Sequence, residues 1–251
     1  MRKIAGGFLA VTLVLGGGVV VDARAQGTGC HAVPRASQLV TLMNAVADPT
    51  VGGIFGGERM WAAVVDRNGE ICAYATSTTD PTQVWPGSQA IAKAKAYTAN
   101  AFSVDALPLS TARLYTFVQP DHSLYGLNES NLFDTQALAP TGGQGGGQGR
   151  LVGGIITFGG GVPLYKNGSV VGGLGLSGDT ACADHEMAKR VRTAAGLNPP
   201  GGEDADDILY TQVDGPSAFN HPTCLDTRRD GVDLNLEELP NEPPNETHKG
   251  Y

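Results

Sequence analysis

"GGGVPLYKNGSVVGGLGLSGDTACADHEMA", residues 159–188, decides how the rest of the chain is read. Asn167-Gly168 stands between two β-leaning runs, Leu164-Tyr165 and Val170-Val171, and that dipeptide takes up the positive φ angles a tight hairpin turn needs. The second run ends at Ser177-Gly178, where Asp179 or Thr180 can accept the free amide hydrogens of a starting helix. Met187, Ala188, Val191 and Ala194 then recur at helical spacing, and Gly196 stands just past the end. The predicted local order is strand, turn, strand, helix.

Working outward, the same signals recur upstream. "MWAAVVD" and "EICAYATS" flank Asn68-Gly69 and predict a first hairpin. Before it, Leu39, Leu42, Met43 and Val46 mark one apolar helix face, with Pro34 suited to the first turn and Asp48-Pro49 ending it. "WPGSQAIAKAKAYTANAF" supplies a second helix with Ser88 as N-cap and Ile91, Ala94, Thr98 and Ala101 at helical spacing. Its small-residue face admits close approach by a sheet, another subunit or a flat ligand. "LSTARLYTFV" reads as a short third helix capped by Ser110 or Thr111. Residues 119–150 break the rhythm and end in a Gly-rich loop, about 140–150, expected to be a flexible surface segment. Hairpins joined by helices predict an α+β fold: a central antiparallel sheet flanked by helices, carrying the Gly-rich loop and an acidic, Pro-rich tail over 198–251.

The N-terminus sets the compartment. Arg2 and Lys3 precede an apolar run over 4–21, and Ala23-Arg24-Ala25 is a small-x-small site, so 1–25 read as a signal peptide cleaved before Gln26. A transmembrane anchor is the competing reading, but the run is short for a span and holds five glycines. No aliphatic residue stands three before Cys30, which disfavours a lipoprotein. The expected location is periplasmic or secreted, with no permanent membrane anchor. The net charge of −8 becomes about −10 once the leader is removed, which disfavours nucleic acid, whose phosphates need clustered Lys and Arg. All four cysteines, Cys30, Cys72, Cys182 and Cys224, survive cleavage. An even count in an exported chain favours two disulfides, in one of three pairings.

A family resemblance enters at the opening stretch. Gly160-Gly161-Val162-Pro163, Asn167-Gly168, Val171-Gly172-Gly173 through Ser177-Gly178, and Asp184 resemble the hallmark of the GlcG/HbpS-type haem-binding family, also called haem-degrading. Lys95, Ala96, Thr98 and Ala99 resemble its Lys-Ala-x-Thr-Ala helix, and "AAVVDRNGEICAYA" fits its first hairpin. The match covers about 35–195 within an expected domain of 26–197. The longer loop and the tail, a piece of which carries "HPTC", resemble an exported, cysteine-bearing branch. The resemblance implies a sheet flanked by helices, a homo-oligomer, and haem or a related tetrapyrrole as ligand.

Haem needs an apolar slot, polar or cationic groups at its edge, and commonly an axial His, Met, Cys or Tyr. Without Cys-x-x-Cys-His, covalent attachment is excluded. Of His31, His122, His185, His221 and His248, His185 at a helix start and His122 in the loop after the third helix are the axial candidates; solvated or capping roles compete. Lys95 is a candidate for a propionate, with Thr98 beside it on the small-faced helix. Cys182, His185, His221 and Cys224 form an alternative zinc set, since tetrahedral zinc accepts two sulfurs and two nitrogens. The spacing departs from the usual zinc patterns, and oxidising surroundings favour a Cys182–Cys224 bond. That bond would staple the tail and stabilise by about 3 to 4 kcal/mol through loop closure. Cys30–Cys72 is left as the second bridge. "DTRRDGVDLNLE" places Asp226, Asp230, Gly231 and Glu237 at calcium-loop positions, but Arg228 and Asp233 interrupt the pattern, so a solvated acidic tail is the better reading.

Hydrolase and phosphate-loop motifs do not occur in the sequence. The leading expectation is an exported haem-binding protein with haem-degrading or haem-buffering activity, and the sequence leaves open whether it is an enzyme. The rival expectation is a non-catalytic accessory subunit of an exported redox system, built on the same scaffold.

Overall fold

The structure, a computed structural model, describes residues 29–135 and 150–236. The expected leader, most of the Gly-rich loop, and the chain from 237 on, with Glu237 and His248, lie outside the described residues.

Four strands form one antiparallel sheet: β1 (Trp61–Asp66), β2 (Ile71–Thr76), β3 (Gly161–Lys166) and β4 (Ser169–Ser177), in the order β2-β1-β4-β3. Each Asn-Gly turn closes one hairpin, and β1 joins them by pairing with β4 from Trp61–Ser177 to Asp66–Gly172. Successive side chains of a strand point to opposite faces. Ala62 and Val64 therefore meet Leu39 and Met43 of α1 (Ala36–Val46) and Met187 and Val191 of α3 (Ala181–Ala194). Trp61, Ala63 and Val65 instead meet Ala92, Ala94 and Ala96 of α2 (Ser88–Phe102). Helices on both faces explain why β1 is buried throughout rather than alternating. This is the expected α+β fold.

The small face of α2 is spent on the sheet. A Cβ on Gly173 would lie 2.1 Å from the Ala96 carbonyl oxygen, and one on Gly175 would lie 2.1 Å from that of Ala92. Only glycine lets helix and strand come this close, so neither a subunit nor a flat ligand is needed to account for the alanines.

Two local expectations are corrected, and one of the two cap candidates at α3 is taken up. The stretch after Ser110 forms two 3-10 turns, Thr111–Leu114 and Thr116–Val118, and no α-helix. Its hydroxyls are used elsewhere: Ser110 Oγ donates to the Asp206 carbonyl (2.6 Å), and Thr111 Oγ1 donates to that of Phe158 (2.7 Å). Gly87, not Ser88, is the N-cap of α2, with no side-chain cap; Ser88 lies buried in the first turn. At α3, Thr180 Oγ1 accepts from the Ala183 amide (3.2 Å). Asp179 instead accepts from the amides of Ile54 and Phe55, each at 2.7 Å, holding that loop.

Both disulfides form, Cys30–Cys72 and Cys182–Cys224. Over its described part the acidic tail is solvated in part: Glu203, Asp204, Asp214, Asp230 and Asp233 are exposed, while Asp206 and Asp207 are buried. Asp206 is buried against Arg192 (2.7 Å), while Asp204, Asp207 and Asp230 all reach Lys189. Asp226 pairs with Arg228 at 3.0 Å and Asp230 with Lys189, so two of the calcium-loop carboxylates are held in ion pairs. No helix among the described residues is long and apolar enough to cross a membrane.

Candidate functional site

Lys95 and Thr98 project from the α2 face that packs on the sheet. Lys95 Nζ is fully buried, 2.7 Å from Asp184 Oδ2, and donates to the Leu176 carbonyl at 3.1 Å. The Phe158 ring lies 4.7 Å from the ammonium. Asp184 Oδ1 accepts from the amides of Gly178 (3.0 Å) and Asp179 (2.9 Å). Burial pushes the Asp184 carboxyl up to about 6 against the pull of Lys95. Burial also lowers Lys95, opposed by Asp184. Thr98 Oγ1 donates to the Ala94 carbonyl (2.8 Å) and accepts from the Ile156 amide (3.0 Å). Lys95 locks α2 to the sheet and α3, Thr98 holds the segment at Ile156 against α2, and the polar atom of each is already engaged.

His185 is 1% exposed. The Ile208 amide lies between Asp207 Oδ1 (2.8 Å) and His185 Nε2 (3.2 Å), Nε2 is itself 3.2 Å from Asp207 Oδ1, and Nδ1 has no hydrogen-bond partner among the described residues. The tail covers this imidazole. Although burial works to raise Asp207, His185, Lys189 and Arg229 together hold its carboxyl well below the usual range. His221 is also buried: Nε2 accepts from the Gly159 amide (3.2 Å) and Nδ1 faces the Pro222 carbonyl at 2.7 Å. Burial pushes His221 down to about 3, so it is neutral at ordinary pH. The sulfurs of Cys182 and Cys224 lie within 4.8 Å of a His221 nitrogen, but they are bonded to each other and cannot serve as thiolate ligands. His122 is exposed in the turn after the second 3-10 segment, its amide donating to the Gln119 carbonyl. The structure thus brings His185, His221 and the disulfide together as a sealed junction, and leaves His122 apart from them.

Sequence reasoning passed over an open groove of about 900 Å³ at the other end of the sheet. The turn Gly29–Ala32 supplies His31; Arg35, just before α1, and Leu42 on it form one wall; Lys166 of β3 and the end of α3 down to Leu197 form the other. His31, Arg35 and Lys166 are exposed, and neither cation is in an ion pair among the described residues. Among the described residues, no Asp or Glu lines the groove. A smaller hollow of about 400 Å³ shares His31 and Arg35 and reaches the Cys30–Cys72 bond. That disulfide ties the His31 turn to β2, and Gly29 is seated so tightly that a Cβ there would lie 2.6 Å from Asp66 Oδ2. The one sequence signal for this histidine was its place beside a half-cystine.

Two antiparallel hairpins merged into one sheet, with helices on both faces, define an α+β domain, and an open cationic groove lies at one end of it. Residues 35–192, from the residue before α1 through most of α3, match the family described as haem degrading protein HbpS-like, and the chain belongs to that family. Over 102 residues it is 35% identical to the corrinoid adenosyltransferase PduO of Salmonella typhimurium, and 34% identical to that of Citrobacter freundii. These matches cover 41% of this chain and 23% of each relative, so the chain spans about a quarter of their length. Among solved structures it is similar to a PduOC:heme complex (25% identity, 64% of this chain, 92% of that one, TM-score 0.46). It is also similar to protein ORFY of Klebsiella pneumoniae (24%, 64% and 88%, 0.46) and a double mutant of HbpS from Streptomyces reticuli (20%, 74% and 97%, 0.44).

Proposed function

We propose that this chain is an exported protein that binds haem or a closely related tetrapyrrole and buffers it outside the cytoplasm. The observation that carries the reading is the family match, which takes in all four strands, α1, α2 and most of α3. The groove supports it: about 900 Å³ falls within the range of small-molecule sites, and its wall combines apolar surface with a histidine and two cations. Bound haem would bring a ligatable, redox-active iron, while the chain contributes the slot, a side-chain ligand and charges for the carboxylates. The leader pattern over 1–25 and the two disulfides support an oxidising compartment. We also propose a homo-oligomer, as the family resemblance implies.

Titrating purified protein with hemin and following the Soret band tests this reading. A shifted band that saturates at one hemin per chain is expected, and no shift across the series overturns it. Adding a reductant and oxygen to the loaded protein separates buffering from breakdown: a stable band supports buffering. Sequencing the N-terminus of protein recovered outside the cytoplasm should give Gln26.

A further inference from the structure

We infer that the groove carrying His31 is where this chain takes up a dicarboxylate macrocycle: His31 is the side-chain ligand, and Arg35 and Lys166 receive the carboxylates. The inference rests on the haem-binding reading, but its ligand residue, His31, lies before the matched span of 35–192, while Arg35 and Lys166 fall within it.

Three observations carry it. The other histidines near the core are closed off: His185, covered by the tail, is 1% exposed, and His221, within the tail, is 4% exposed with both nitrogens occupied. His31 is exposed in a groove large enough for a flat ligand. Charge is the third. In a chain of net charge −8, the described residues that line this groove include two cations and no carboxylate. A bound anion would meet no repulsion there, while Pro34, Leu42 and Leu197 offer apolar contact to a ring. The site is also built, not loose. The Tyr165 amide donates to the Leu197 carbonyl at 2.9 Å, tying the α3 wall to β3, while Cys30–Cys72 fixes the His31 turn.

Hemin and iron-free protoporphyrin IX, titrated against wild type and three variants, test the assignment. His31→Ala should lose the shifted Soret band and bind hemin about 10- to 100-fold more weakly, as loss of metal-site residues commonly does. It should bind protoporphyrin IX as wild type does, because the ring without iron has no use for the imidazole. Arg35→Ala with Lys166→Ala should weaken both ligands by about three- to tenfold, as exposed charge pairs do, with the Soret position kept. His122→Ala should behave as wild type. A wild-type shift that survives unchanged in His31→Ala overturns the groove assignment and leaves haem binding standing. No shift in wild type overturns both.

Discussion

Lys95 and Asp184 lie 2.7 Å apart with side chains 0% and 2% exposed, and together they join α2 to the start of α3 across the end of β4. The pair has hydrogen-bonding partners on both sides, the Leu176 carbonyl for the ammonium and two amides for the carboxylate. Removing one member leaves an uncompensated buried charge. Lys95→Met should therefore destabilise the fold by about 3 to 5 kcal/mol. Lys95→Met with Asp184→Leu should lose less than the single variant, as urea denaturation will measure.

Acidity acts on two buried groups in opposite senses. Asp184 sits near 6 in the folded chain against 3.8 ordinarily. The folded protein therefore holds a proton that the unfolded chain has released, and from this group stability rises as pH falls from about 6 to 4. His221 sits near 3 against 6.5, so its contribution is present above 6.5 and is lost as pH falls toward 3. Denaturation curves stepped from pH 7 to 4 should show the acid loss more steeply in Asp184→Asn. In His221→Gln the loss should be reduced or reversed.

The close approach of α2 to β4 gives a steric prediction. Gly175→Ala places a methyl 2.1 Å from the Ala92 carbonyl oxygen and 2.5 Å from the Ala96 amide nitrogen, both backbone atoms that cannot turn aside. Forcing helix from sheet should cost about 1 to 3 kcal/mol. Gly168→Ala has open space around its Cβ but a φ of +83°, so its smaller cost is backbone strain alone. Thermal denaturation of the two variants should rank them in that order.

Much of this arrangement is local and so was legible. The Asn-Gly turns at 68 and 167 announced both hairpins, and Thr180 stood where a cap was needed. What escaped notice depends on long separations. Lys95 and Asp184 are 89 residues apart, and nothing near either announces the other. The tail acids read as a solvated run because local density shows charge but not partners; Lys189 and Arg192 bury part of them. Four segments assemble the groove, so its place beside Cys30 did not by itself set His31 apart from the other histidines.

The two disulfides should have separable effects. Cys182→Ala with Cys224→Ala opens a link spanning 42 residues. In the chain-entropy account this costs about 3 to 4 kcal/mol, and limited proteolysis should then cut within 198–236. Cys30→Ala with Cys72→Ala frees the His31 turn and should weaken hemin binding by about tenfold. Protease resistance of the tail should be unchanged in that second variant.

Anomalous scattering at the iron edge, from crystals of the full protein grown with hemin, tests the central claim most directly. The predicted result is an iron peak in the groove at bonding distance from a His31 ring nitrogen, with density for carboxylates toward Arg35 and Lys166. An iron peak beside His185 or His122, or none in crystals of protein that shows no Soret shift, would contradict it.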